Sequence, residues 1–365
     1  MTDTLFTIQE HNKYNAYDKL YPKTHASLIV NPPQATGARI DVLCLPASSG
    51  IVVNLSGQKT ASATTDSSGK CSFEGLDYGE YTISATIAGT EQSKTINIDA
   101  SKIYDVELGI NASATLNDND WATISNVSSA GLASNYWNVG DTKTIILNGQ
   151  VGNTTFSNLS IDAYILGINH NAEVEGNNRI HFCIGKADNK TVGLIDSQYN
   201  QYPMTSSGYF SMSYEGNNDT NHGGWNGCYM RNSVMQWIKN ALPTDLQNVL
   251  KTVTKYTDNT GGGSNESSSV TATTETICLE AEFEVHGARS YANSYEQNKQ
   301  KQYDYYKNGN SKIRYKYNDT SSAAWWWNRS PYSGTSGYFC RVTTGGTATG
   351  DASRRCYAVA PCFYV

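Results

Sequence analysis

The chain has 365 residues, enough for two or three domains. Hydrophobic residues make up 38% and charged residues 16%, and 25 Tyr and 7 Trp stand among many Ser, Thr, Asn and Gly, a balance that favours strands, turns and aromatic contact surfaces over long helices. A net charge of −6 argues against nucleic-acid binding, which needs a basic face to release phosphate counterions. The small cluster Arg341, Arg354 and Arg355 does not reverse that expectation.

Met1-Thr2-Asp3-Thr4-Leu5-Phe6 has neither the basic nor the apolar part of a secretory leader. No run is long or apolar enough to cross a membrane, so a soluble chain assembled in the cytoplasm without membrane insertion is expected. Residues 1–36 form a Tyr-rich lead-in and linker that ends at Asn31-Pro32-Pro33. Residues 37–109 read as a small all-β domain, with strands over Ile40–Leu45, Ile51–Leu55, Tyr81–Ile87, Thr95–Ile98 and Ile103–Leu108. Tyr81–Ile87 alternates apolar and polar residues, the period of a half-buried strand, and short strands between turn signals argue for a sandwich.

Residues 110–136 read as a polar connection, and a second domain is expected over 137–365. Trp137–Leu147 reads as a turn feeding a strand, with further strands over Ile161–His170 and Ile180–Ile184. Asn232-Ser233 is placed to cap a helix over Val234–Leu242 that Pro243 stops. Asp258–Thr274 reads as an exposed loop, Thr276–Val285 as a strand and residues 289–312 as a solvated helix ending at Asn308-Gly309. Trp325–Trp327, Tyr338–Val342 and Tyr357–Val365 are apolar runs near the end. The fold class is mainly β, with an α+β C-terminal domain.

The eight cysteines include no Cys-x-x-Cys pair, which argues against a zinc ribbon. Several lie in strand patterns and read as small buried hydrophobes, while disulfides among Cys340, Cys356 and Cys362 stay open. His11, His25, His170, His181, His222 and His286 are scattered without metal or triad spacing. No cofactor and no catalysis are expected.

Three resemblances add to this reading. Leu20-Tyr21-Pro22-Lys23-Thr24 resembles the N-terminal attachment segments of phage tail fibres and baseplate proteins. Thr65-Asp66-Ser67-Ser68-Gly69-Lys70-Cys71-Ser72-Phe73, followed by Gly79-Glu80-Tyr81, resembles the carboxypeptidase-regulatory-like, transthyretin-like modules that serve as spacers. From Trp137 onward the chain resembles a bacterial and prophage family of unknown function with a Trp-Trp-Leu-Arg-Ser-Pro signature. The matching residues are Trp326-Trp327-Asn328-Arg329-Ser330-Pro331 and Ala358-Val359-Ala360-Pro361-Cys362-Phe363. Asn328 replaces the family's Leu and Ala360 its Arg. That resemblance implies the superfold of C-type lectins and formylglycine-generating enzymes, which also occurs in retroelement-diversified phage receptor-binding proteins.

The implied role is a virion protein of the tail: a tail fibre, tail tip or receptor-binding adhesin. Residues 1–36 would join other virion proteins, and the C-terminal domain would bind a host surface glycan or protein. A trimer is the expected assembly. The alternatives are a structural virion decoration without a receptor and, last, an oxidase of the formylglycine-generating type. Cys356 and Cys362 match that enzyme's paired cysteines in position only.

The expected ligand face holds Trp225, Trp325, Asn328, Tyr332, Tyr338, Arg341, Arg354 and Arg355, because Tyr, Trp and Arg give contact area and hydrogen bonds at modest entropy cost. Trp326 and Trp327 are expected in the core, and Arg329 and Arg341 could instead pair with internal carboxylates. Asn318-Asp319 and Asn217-Asn218-Asp219 read as turns rather than as calcium ligands.

Overall fold

A computed structural model describes residues 37–87, 89–214 and 218–365. The lead-in expected to attach to a virion, and Asn217, lie outside them. The chain divides into two compact units, Met1–Gly109 and Ile110–Val365.

The first unit is built from β1 (Arg39–Cys44), β2 (Val52–Gly57), β3 (Ala61–Thr64), β4 (Lys70–Glu74), β5 (Gly79–Ile87), β6 (Thr90–Ile98) and β7 (Ile103–Leu108). They form a three-stranded sheet, β4-β1-β7, and a four-stranded sheet, β3-β2-β5-β6. Alternate residues point inward, so Ile40, Val42, Phe73, Val53, Leu55, Tyr81, Ile83 and Val106 make the core. The Thr65–Gly69 run folds as an Asx turn: Asp66 Oδ1 accepts hydrogen bonds from Ser68 N at 2.8 Å and Lys70 N at 3.0 Å. Gly69 is required there, since φ is +76° and a Cβ would lie 2.6 Å from the Cys44 carbonyl.

In the second unit, residues 110–136 are part of the fold rather than a connection. Asp120 caps α1 (Trp121–Ser129) by accepting from Thr123 N, and α2 (Ala133–Tyr136) follows. Trp121, Ile124 and Val127 form a buried stripe at helical spacing, and Trp121 packs edge-on against Phe182 and Phe363. The polar residues between them hide that stripe in the sequence.

The next strands are β8 (Thr142–Val151), β9 (Thr154–Ile168), β10 (Ile180–Ala187) and β11 (Lys190–Gly193). Between β9 and β10 lies the single-turn helix α3 (Ala172–Glu175). The helical region begins with α4 (Gly224–Gly227) and a π-helical turn, Met230–Val234, before α5 (Met235–Asn240) and α6 (Thr244–Gln247). The helix therefore starts ahead of the expected Asn232-Ser233 cap, because Met230, Val234, Met235 and Ile238 supply a continuous buried face.

The hairpin β12 (Val253–Asp258) and β13 (Val270–Glu275) brackets a shorter loop than expected. Asp258 is buried and braces the loop start, accepting from Thr260 N, Gly261 N and Asn293 Nδ2. The strand expected to reach Val285 is only β14 (Ile277–Cys278); α7 (Glu282–His286) interrupts it, with the Glu284 carboxylate accepting from Ala281 N. Residues 289–312 form no long helix. Only α8 (Asp304–Lys307) and a short turn are helical, because Tyr303, Tyr305 and Tyr306 enter the core and Glu296 and Gln300 hydrogen-bond inside the fold.

The chain closes with β15 (Arg314–Lys316), β16 (Asp319–Ala324), β17 (Trp326–Pro331), β18 (Tyr338–Val342), β19 (Ala348–Ala352) and β20 (Cys362–Tyr364). The large sheet runs β14-β20-β10-β11-β15-β16, with β9 also paired to β10 and β8 to β9; β17-β18-β19 is a separate sheet. Trp326 and Trp327 are both fully buried. The molecule is mainly β. No helix among the described residues is long and apolar enough to cross a membrane.

Candidate functional site

The sheet β17-β18-β19 places the expected contact residues. On β18, Tyr338 and Cys340 share one face of the sheet and Phe339 and Arg341 the other, with Tyr338 40% exposed, Phe339 buried and Arg341 half-buried. Tyr332 lies flat on the sheet: a Cβ on Gly350 would come within 2.2 Å of its ring, and one on Gly334 within 2.5 Å. Tyr291 and Tyr338 flank it, with ring centroids at 5.3 and 6.1 Å. The glycines thus let three tyrosines form one fixed aromatic row.

A second row lies on the opposite face of β18 and β19, around Arg341 and Asp351. The Arg341 guanidinium sits 5.1 Å from the Trp325 ring and 4.7 Å from the Tyr357 ring, and its Nη2 is 3.0 Å from Asp351. Asp351 also accepts the Tyr357 hydroxyl and lies 3.7 Å from Arg355 Nε. Arg355 in turn covers the Tyr202 ring at 5.0 Å, and Tyr202 donates to Asp219 at 2.8 Å. Asp219 therefore anchors this row, and Asp319 closes a turn by accepting from Ser321.

Of the expected contact residues, Trp325, Arg341 and Arg355 come together in this second row and Tyr332 and Tyr338 in the first, all half-buried or exposed. Three do not serve the surface. Trp225 is fully buried and donates from Nε1 to Glu275 at 3.0 Å. Asn328 is also fully buried, with neither amide atom hydrogen-bonded among the described residues. Arg354 is only 6% exposed, held against Asp219 at 3.5 Å. Each was read as a loop residue, whereas packing draws polar and aromatic side chains of this region inward. Arg341 and Arg329 both pair with carboxylates, Asp351 and Glu284.

The sequence reading missed Tyr202, Asp219, Asp351 and Tyr357. Tyr202 is 45% exposed and was open to notice as a Tyr-Pro turn; the two aspartates gave no signal beyond loop composition. A cleft of about 320 Å³ borders the face, lined by Tyr214, Thr220, His222, Tyr229, Asn232 and Phe339. A larger groove of about 710 Å³ lies on the first unit, lined by charged residues that include Arg39, Asp41, Lys70, Asp105 and Glu107.

Beneath the surface lies a charged core that no spacing announces. Lys255 Nζ reaches Glu284 at 2.9 Å and Glu175 at 2.5 Å, and Arg329 Nη2 donates to Glu284 at 2.8 Å. Tyr303, His170 and His181 pack around them. Burial drives His170 down to about 3, so the imidazole stays neutral. Burial alone would lower Lys255, but Glu175 and Glu284 outweigh it and hold the ammonium charged. The carboxylates converge with His170 as a cation site would, and the Lys255 ammonium already fills the place of the cation. This cluster ties α3, β12, α7 and β17 together inside the fold.

Comparison with known proteins agrees with the C-terminal resemblance in its coarse form. No curated protein matches the chain. Among solved structures, the Bacillus anthracis TIE protein aligns with 42% of this chain and 28% of its own length, at 12% identity and a TM-score of 0.17, a likeness that carries no functional weight. Residues 195–365, a shorter span than the expected one from Trp137, match the family described as a domain of unknown function, DUF6273.

Proposed function

We propose that the protein is a tail-associated virion component whose C-terminal unit, with a C-type-lectin-like fold, binds a host surface glycan or protein. The first unit acts as a spacer, and residues 1–36 join other virion proteins. The supporting observation is the convergence of Trp325, Arg341 and Arg355 with Tyr202 in one braced row, although Tyr202 is far from the rest in sequence, with Tyr332 and Tyr338 in a second aromatic row of the same sheet. Rigid aromatics and arginines stacked on them lose little freedom on binding, which suits adhesion.

The test is the triple variant Tyr202→Ala, Tyr338→Ala, Arg355→Ala of the full chain. All three side chains are at least partly exposed, so melting should shift by no more than about 6 °C, given roughly 0.5 kcal/mol per surface change. Binding to bacterial cells or to an immobilised glycan panel should fall at least about tenfold, the loss expected from removing contacts worth more than 1 kcal/mol each. Undiminished binding by the folded variant would remove this face from consideration. The assembly proposed is a trimer, and light scattering on the same samples at micromolar concentration reads it directly.

A further inference from the structure

Cys183 on β10 and Cys362 on β20 stand opposite each other in an antiparallel pair. Ile180 and Val365 exchange both backbone hydrogen bonds, and Ile184 N donates to the Pro361 carbonyl, so Cys183 and Cys362 occupy a non-hydrogen-bonded position. Such positions bring the Cα atoms to about 4.5 Å, inside the span of roughly 4.4–6.8 Å that a disulfide bridges. Both sulfurs and a Glu280 carboxylate oxygen lie within 4.8 Å of one another. We infer that Cys183 and Cys362 are a peroxide-reactive thiol pair that closes to a cross-strand disulfide.

The surroundings supply what that chemistry needs. Arg314 Nη2 donates to Cys183 Sγ at 3.3 Å and to Glu280 Oε1 at 2.9 Å, and the Tyr306 hydroxyl donates to Glu280 at 3.1 Å. One guanidinium balances one negative charge, so one of the two acids beside it keeps its proton. Burial pushes the Cys183 thiol up, but the hydrogen bond from Cys362 and the Arg314 charge outweigh it and bring it down to about 6. Burial and the neighbouring Cys183 charge push Glu280 up to about 8. The group is therefore set as a thiolate beside a carboxylic acid, with Cys362 held as the thiol.

The Cys183 thiolate attacks one oxygen of hydrogen peroxide. The S–O bond forms and the O–O bond breaks, and the departing hydroxide takes the Glu280 proton to become water. Cys362 sulfur then attacks the sulfenic sulfur of Cys183. The S–S bond forms and the S–O bond breaks, and the second hydroxide leaves as water with the Cys362 proton. Two thiol sulfurs lose two electrons, and the peroxide becomes two waters. Cys278 also stands opposite Cys362, but its sulfur is engaged with the Tyr364 hydroxyl at 2.9 Å. Because Cys183 and Cys362 are at most 1% exposed, an oxidant the size of peroxide reaches them on local opening, and a bulky disulfide does not.

The experiment treats the reduced full-length protein, carrying Cys71→Ser to remove its one half-buried thiol, with hydrogen peroxide or with oxidised glutathione. The expected result is loss of two hydrogens per chain with peroxide and none with glutathione. Peptide mapping should link Cys183 to Cys362, and melting should rise by about 5 °C or more, as expected for closing a long loop. In Cys362→Ser, dimedone should trap a sulfenic acid on Cys183. A link from Cys362 to Cys278, a link involving Cys340 or Cys356, or an unreacted Cys183 would overturn the inference. So would a metal ion retained by the purified protein that shields both thiols from alkylation.

Discussion

Lys255→Met is expected to cost the C-terminal unit about 3–5 kcal/mol, because removing one partner of a buried ion pair strands the other. Lys255 is the ammonium that joins Glu175 to Glu284. Glu284 would keep Arg329, but Glu175 would keep no cation, only the Asn171 amide at 3.3 Å and neutral His170 and His181 at 3.9 and 3.6 Å. A carboxylate so buried then ionises only at a large cost or takes up a proton. Urea unfolding followed by tryptophan fluorescence reads the effect, since Trp121, Trp225, Trp326 and Trp327 are all buried in this unit. Adding Glu175→Gln to Lys255→Met removes the stranded charge and should restore part of the loss. A Lys255→Met protein within about 1 kcal/mol of the parent, the range of exposed ion pairs, would show that the network contributes little.

Deleting Tyr357–Val365 is expected to abolish cooperative folding of the C-terminal unit. Every residue of that segment is buried, and β20 lies between β10 and β14 rather than at an edge. Tyr357, Val359, Phe363, Tyr364 and Val365 each contribute about 1.5–3 kcal/mol of burial. Together they rival the whole net stability of a domain, about 5–15 kcal/mol. The segment also takes up polar groups: Lys251 N donates to the Tyr364 carbonyl, and the Ser128 hydroxyl donates to that of Val365 at 2.7 Å. Far-ultraviolet circular dichroism during heating provides the test. A truncated chain that melts like the parent would mean that the segment only decorates the sheet.

The strands of the first unit were legible because one face of each packs inward and the other meets water, which writes period-2 alternation into residues such as Tyr81–Ile87. The tryptophans of Trp326-Trp327 were legible as core for the same reason that large apolar rings avoid water. Residues 289–312 were not. Glu296, Gln300 and Asn293 carry the composition of a solvated helix, yet each is buried and hydrogen-bonds to a residue 35, 38 or 44 positions away, which composition does not record. The Lys255 cluster was hidden likewise, since lysine, glutamate and arginine usually mark a surface. For the proposed contact residues, burial was not legible in the sequence: Trp225, Asn328 and Arg354 lie inside the fold. Whether Arg354 or Arg355 faces water is decided by Asp219, a residue 135 or more positions earlier.

The place of β20 in the middle of its sheet also governs how the unit reaches its fold. β10 ends at Ala187 and waits for a partner that begins at Cys362, and β14 waits for the same strand. Until it docks, two apolar strand edges stand open on either side of an empty lane. Contacts so distant along the chain form slowly, since the closure entropy must be met before any hydrogen bond rewards it. Refolding of this unit should therefore be slow and concentration-sensitive, because an open lane of that width accepts a strand from another molecule as readily as its own.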